Sequence, residues 1–249
     1  MRPKILITND DSYEAKGLNV LIEAAKEIGD VLVVAPANPK SACSHSLTIT
    51  KPLKLKKVDT NFYKLDDGTP SDCIYIALYE FKNFKPDIVL SGINHGANLG
   101  EDVNYSGTVA GAFEARVHNI PAIAFSQVLK SFDLEDEINW DNAKEVVKDL
   151  TNKVLNEEII LKKREILNVN IPHIKKIKGY KFVKLAYQEY KIDVHTHFDP
   201  RGEKVYWLGP SYLNFKEEEN TDFFAIKNGY VSITPLKFDI TSYESLNEI

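Results

Sequence analysis

The sequence predicts an α/β fold built on a doubly wound, mostly parallel sheet. Three observations carry that reading. Short apolar runs rich in β-branched residues recur through the first two thirds of the chain, as in strands buried on both faces. Longer stretches with helical apolar spacing separate them. After Gly179 the pattern changes to strict alternation, which suits a hairpin.

The elements follow in order. Lys4–Thr8 reads as a buried strand. From Gly17 onward Leu18, Leu21, Ile22, Ala25 and Ile28 share one helical face, and Gly29 suits the C′ position. "VLVVAP" is a second buried strand, so the opening is a β-α-β unit with parallel strands. "HSLTITKPLKLKKV" alternates apolar and basic residues and reads as partly exposed strand, its lysines a solvated face. In "GTPSDCIYIALYEF" Thr69 can cap a helix, Pro70 suits its first position and Asp72 its first turn. "PDIVLSGIN" and "PAIAFS" are strands around a helix opened by Ser106-Gly107. "WDNAKEVVKDLTNKVLNEEII" is an amphipathic helix, and "ILNVNIP" ends the alternation near Pro172.

Beyond it, "KIDVHTHFDPRGEKVYWL" forms two alternating runs around the turn tetrad Asp199–Gly202, a projecting hairpin suited to oligomerisation. Glu217–Glu219 reads as a solvated loop, "GYVSITPL" as a strand and "TSYESLNEI" as a short helix. The chain therefore reads as one domain over 1–249. Its core spans about 1–178, with the hairpin and a C-terminal extension at about 179–249.

Composition narrows the function classes. Of 249 residues, 43% are apolar, enough for a sizeable core. Thirty-one basic against 36 acidic residues give a net charge of −5, which argues against a nucleic-acid polymer as partner. A small phosphorylated ligand needs only a local site and stays open. Cys43 and Cys73 make no disulfide framework, and no stretch approaches a membrane span. The expectation is a cytoplasmic protein without a membrane partner.

In an open parallel sheet, ligands bind beyond the carboxyl ends of the strands. The residues found there are Asn9-Asp10-Asp11, "ANPKSACSHS" and "SGINHGANLGEDVNYSGT". Adjacent aspartates repel and resist burial. Asp10 and Asp11 fit either a turn or a hard divalent cation such as Mg²⁺, Mn²⁺ or Ca²⁺, and no Cys/His cluster suggests zinc. Ser106-Gly107-Thr108 fits either an ordinary helix start or an anion site built from backbone N–H groups and hydroxyls. Asn94 and Asn98 fit ligand contacts or turns. His45 fits a phosphate contact, an acid or a loop role, while His118, His173, His195 and His197 belong to no constellation.

Together, "ILITNDDSYEAKGL", "VVAPANPKSACSHSLT", "GTPSDC", "PDIVLSGINHGANLGEDVNYSGTVAGAFEA" and "GYVSITPL" resemble the SurE family of survival proteins, metal-dependent 5′/3′-nucleotidases. The resemblance covers nearly the whole chain. It implies a Rossmann-like core and one divalent ion, Mg²⁺ or Mn²⁺, with ligands falling on Asp10, Asp11, Ser41 and Asn94. It places the phosphate-contacting helix start on Ser106, Gly107 and Thr108. It implies hydrolysis of nucleoside monophosphates, with short polyphosphate cleaved by some members. It also implies a homodimer or homotetramer assembled through the hairpin and extension. Many relatives have glycine where this chain has Ser12 and Ser44.

The mechanism this implies is phosphomonoester hydrolysis at a metal held by Asp10, Asp11, Ser41 and Asn94. Asn94 and Ser106–Thr108 steady the phosphoryl oxygens, an aspartate handles the attacking water or itself attacks, and His45 contributes to leaving-group protonation. Three rival classes make different demands. A receiver domain needs a phospho-accepting Asp after its third strand, where this chain has Ser91–Asn94. A haloacid-dehalogenase-type phosphatase needs Asp-x-Asp, which Asp10-Asp11 breaks. A non-catalytic nucleotide-binding protein would bind nucleotide without releasing phosphate.

Overall fold

A computed structural model describes residues 1–129, 140–209, 214–215 and 218–246. Glu217 of the acidic run and residues 247–249 of the expected C-terminal helix lie outside them. Through the first two thirds, strands and helices alternate: β1 (Lys4–Thr8), α1 (Lys16–Ile28), β2 (Asp30–Pro36), β3 (Lys54–Asp59), β4 (Phe62–Asp66), α2 (Pro70–Glu80), β5 (Ile88–His95), α3 (Gly107–Val117), β6 (Ala122–Gln127), α4 (Asp141–Leu155) and β7 (Glu165–Ile171). A short 3-10 turn, Gly100–Asn104, precedes α3. Then come β8 (Tyr180–Phe182), β9 (Gln188–Glu189), β10 (Val194–Phe198), β11 (Lys204–Leu208), β12 (Asn214–Phe215), α5 (Asp222–Lys227), β13 (Val231–Lys237) and α6 (Tyr243–Leu246).

Nine strands form one sheet in the order β3-β4-β2-β1-β5-β6-β7-β13-β8. From β4 to β7 every neighbouring pair is parallel. The exceptions lie at the flanks, where β3 runs antiparallel to β4 and β13 antiparallel to β7. The α/β, mostly parallel architecture thus matches the sequence reading. Pleat alternation divides the core. Ile5 and Ile7 of β1 face a layer containing α1 and α4, while Leu6 faces α2 and α3. Helices on both faces explain why the central strands are apolar throughout.

Three local features differ from the sequence reading. Gly29 ends α1 with extended backbone (φ −150°) rather than the left-handed C′ conformation. What requires glycine there is space, because a Cβ would collide with the Pro3 carbonyl oxygen. The strand expected from His45 begins only at Lys54; residues 45–53 form an irregular loop. Finally, β13 comes from beyond residue 178 yet lies inside the sheet between β7 and β8. The last quarter of the chain is therefore shared between the sheet and the hairpin of β10 and β11, which pair with each other around residues 199–203. Trp207 and Leu208 on that hairpin are exposed.

The chain runs from β1 outward to β2 on one side and later returns to β5 on the other. The boundary between β1 and β5 is thus the switch point where a doubly wound sheet opens a crevice.

Candidate active site

At that switch point β1 ends in Asn9, Asp10 and Asp11, and β5 ends in Ser91–His95. Asn9 is fully buried, and its Nδ2 donates to the Ser12 carbonyl at 2.8 Å, which fixes the turn behind the aspartates. The pairing of β5 with β6 is irregular between Ser91 and Asn94, and such a shift re-aims the strand end. Asn94 Nδ2 donates to the Gly96 carbonyl at 3.0 Å, so that Oδ1 is the side-chain atom able to act as a ligand.

Asp10 is 4% exposed and packs against the start of α3. Thr108 donates to it twice, from its hydroxyl to Oδ1 and from its N–H to Oδ2 at 3.1 Å. Gly107 is required by proximity: a Cβ there would sit 2.8 Å from both Asp10 Cβ and Cys43 Sγ. Ser106 caps α3, its Oγ accepting from Val109 N–H at 3.1 Å. The Gly107 N–H has no acceptor among the described residues.

Burial, with the Asp11 charge second, raises the Asp10 carboxyl to about 6. Burial also raises Asp11, against a hydrogen bond from the His95 N–H to Oδ2 at 2.9 Å. Among the described residues no lysine or arginine forms an ion pair with either carboxylate. Two adjacent carboxylates without a cationic side chain, together with Asn94 Oδ1, are a hard-oxygen donor set of the kind that fits a divalent metal. Ser41 belongs to the loop after β2. The loop is tied to the aspartate by the preceding residue, whose N–H (Lys40) donates to the Asp10 carbonyl at 2.7 Å; Ser41 itself is exposed.

The same loop continues along α3. Ser44 N–H donates to the Tyr105 carbonyl at 2.9 Å. Burial, then the Asp10 charge, pushes the Cys43 thiol up to about 11, so it stays protonated beside the site. His45 lies farther along the helix, with Nε2 2.7 Å from Glu114 Oε2. His118 Nε2 lies 3.1 Å from the other oxygen of the same carboxylate. Burial pushes Glu114 up, but the bonds and charge from His45, then His118, outweigh it and hold the carboxyl below its ordinary value.

The fold therefore brings together Asp10, Asp11, Asn94, Ser106, Gly107 and Thr108, with Ser41 and His45 on one adjoining loop. Sequence reasoning missed Glu114 and His118, whose signal was a Glu and a His four residues apart on one helix. It also left open Asn98, which is a structural anchor. Asn98 is buried, donates to Ser126 Oγ at 2.8 Å, and accepts at its carbonyl from Asn168 and Asn170. Ser12 and Ser44 both have positive φ, +94° and +51°, the region that favours glycine.

Comparison with known proteins finds one family over nearly the whole chain. Residues 5–192 match the family model described as Survival protein SurE. The chain is 48% identical over 252 residues to the 5′-nucleotidase SurE of a Nitratiruptor species, covering 99% of this chain and 98% of that one. It is 50% identical over 250 residues to the 5′-nucleotidase SurE of Campylobacter concisus, covering 99% and 96%. The crystal structure of SurE protein from Aquifex aeolicus superposes with a TM-score of 0.85 at 44% identity, covering 99% of this chain and 98% of that one.

Proposed function

The chain belongs to the SurE survival-protein family, and from that premise we propose that it is a 5′-nucleotidase, hydrolysing nucleoside 5′-monophosphates to nucleoside and phosphate. The observation that carries the reading is the seating of Asp10, the first of two adjacent aspartates, against Gly107 and Thr108 at the sheet's switch point.

Asp10, Asp11, Ser41 and Asn94 would hold one Mg²⁺ or Mn²⁺. Such a cation, when bound, polarises a phosphoryl oxygen and acidifies a coordinated water. The chain's own residues do the rest. Asn94, the Ser106 hydroxyl and the Gly107 N–H steady the phosphoryl oxygens at the positive end of α3. Both Thr108 donors face Asp10, so Thr108 serves the phosphate site by coupling the helix start to the carboxylate. Asp10 is held through both oxygens and is the fixed member of the pair. Asp11 is held through Oδ2, and its Oδ1 is the acceptor for the proton of the attacking water. His45, its Nε2 held by Glu114, protonates the leaving ribose oxygen through Nδ1. Donors fixed in a buried frame stabilise the charge of the transition state without reorganising.

The exposed apolar side chains of the β10–β11 hairpin support a second copy of the chain as its partner, in a homodimer or homotetramer. Residues 1–249 act as one catalytic unit. No helix among the described residues is long and apolar enough to cross a membrane, which fits a cytoplasmic role. The test is phosphate release from a panel of 5′- and 3′-nucleoside monophosphates and short polyphosphate with Mg²⁺ or Mn²⁺. Metal-dependent release is expected, with a loss of at least a hundredfold in Asp10→Asn (~2.7 kcal/mol, the scale of a lost transition-state contact). Unchanged turnover in the variant overturns the assignment.

A further inference from the structure

A cleft of about 490 Å³ opens beside the proposed catalytic residues and includes none of them. Its walls include Glu101, Tyr105, Tyr187, Gln188, Glu189 and Tyr190. Two pieces of chain build it: the turn Gly100–Asn104 with Tyr105 at its end, and the segment around β9. Buried Asp222 fastens them together. Its Oδ2 accepts from the Gly100 N–H at 2.8 Å and its Oδ1 from the Ala186 N–H at 2.9 Å. Gly100 has φ +53°, and a Cβ there would come within 2.8 Å of the Ala186 carbonyl oxygen.

Three tyrosines meet at this cleft while still exposed: Tyr105 at 58%, Tyr187 at 60% and Tyr190 at 43%. One exposed aromatic is ordinary, but three on one cleft form a surface. Tyr190 is tethered by its polar end. Its hydroxyl lies 3.0 Å from Asp102 Oδ1 and 2.6 Å from Gln188 Oε1, serving one of them at a time. Gln188 Nε2 donates to Asp102 Oδ2 at 3.2 Å and closes the triangle. Burial, then the bond to Asp102, pushes the phenol up, so the ring stays neutral at any ordinary pH.

The cleft is joined to the phosphate site by one peptide link. Tyr105 precedes Ser106, and adjacent Cα atoms are ~3.8 Å apart. A ligand held by its phosphate at Ser106–Gly107, with a flat ring one sugar away, is thus placed to reach the cleft that Tyr105 lines together with Tyr187 and Tyr190. Resting on the nucleotidase reading, the geometry points to this cleft as the nucleobase subsite, selecting bases that carry an exocyclic amino group. Tyrosine faces accept any base by stacking. Selection comes from the rim, where Glu101 and Glu189 offer acceptors and none of the lining residues is cationic. The same acidic rim repels additional phosphates, so monophosphates are preferred over triphosphates.

The experiment compares kcat/KM for adenosine 5′-monophosphate with that for ribose 5-phosphate. In wild type the nucleotide is favoured. Tyr187→Ala should shrink that ratio roughly tenfold, the scale of one lost base–aromatic stack, and Tyr187→Phe should keep it. Glu189→Gln should narrow the preference for adenosine over uridine monophosphate. An unchanged ratio in Tyr187→Ala, or a wild-type ratio near one, overturns the subsite, whatever happens to oligomeric state. If wild type releases phosphate from neither compound, the nucleotidase reading fails separately. The subsite is then read by calorimetric titration of adenosine 5′-monophosphate into wild type and Tyr187→Ala: roughly tenfold weaker binding by the variant sustains it, and equal affinity overturns it.

Discussion

Gly107 lies against Asp10 so closely that an added Cβ would stand 2.9 Å from the aspartate's Oδ2. This contact links the end of the first strand to the helix start proposed to hold the phosphate. Gly107→Ala must push either Asp10 or Cys43 aside. Overpacking of this kind costs about 1–3 kcal/mol, and a displacement of an ångström at a reacting group costs about a hundredfold in rate. Denaturant unfolding and phosphate release check the two effects separately. Full activity in the variant would refute the close contact.

Metal-free protein should lose stability as pH rises through the Asp10 titration. The folded carboxyl titrates at about 6 against an ordinary 3.8, so the folded state binds the proton more tightly. That contribution is complete below 3.8 and is lost as pH rises through 6. It amounts to about 3 kcal/mol at 1.36 kcal/mol per pH unit. Asp10→Asn should flatten this part of the profile and unfold at higher denaturant than wild type at pH 7 in a chelator. Thermal or urea unfolding from pH 4 to 7 reads the difference.

Glu114 behaves in the opposite sense. Its carboxyl is held below the ordinary 4.5, so its stabilisation is present above that value and fades as pH falls through the lower folded value. Glu114→Gln should cost about 1.5–3 kcal/mol at pH 7, the worth of a charged hydrogen bond. The cost should vanish in acid. Because Glu114 holds His45, the variant should also lower kcat more than it raises KM. A pH-independent stability difference would refute the assignment.

Ser12→Gly should stabilise the protein. Ser12 sits at φ +94°, where a Cβ costs ~1–2 kcal/mol, against ~0.5–1 kcal/mol for the added freedom of glycine in the unfolded chain. A gain of about 0.5–1 kcal/mol is expected, with the Asp10 geometry intact, and urea midpoints measure it.

Much of this was legible in the sequence because it rests on local chemistry. Thr69 caps α2 and Asp72 lies in its first turn as residue type predicts, and the two go further in forming a reciprocal capping box, with Thr69 N–H donating to Asp72 Oδ2 at 2.9 Å. β1 and β2 were readable as apolar runs because helices cover both faces of the sheet. The rest depends on long-range pairing. Residues 45–53 carry a strand-like alternation, but their loop is committed to α3 through Ser44 and His45. Glu114 sits among small residues in α3, and its partner His45 is 69 positions away. Nothing in "GYVSITPL" says that it pairs antiparallel to β7.

That last pairing has a consequence for how the molecule is made. The ribosome delivers Asp10, Asn94 and Ser106–Thr108 early, and each lies at the end of a strand or helix that can form as it emerges. β13 and Asp222 arrive much later. Until they do, β7 is an open edge and the Gly100 turn lacks its clamp. A nascent chain stalled near residue 210 would carry every proposed catalytic side chain while missing the frame around them. Activity should therefore switch on only once β13 and Asp222 have been made, so that a shorter nascent chain exposes a sticky strand but hydrolyses nothing.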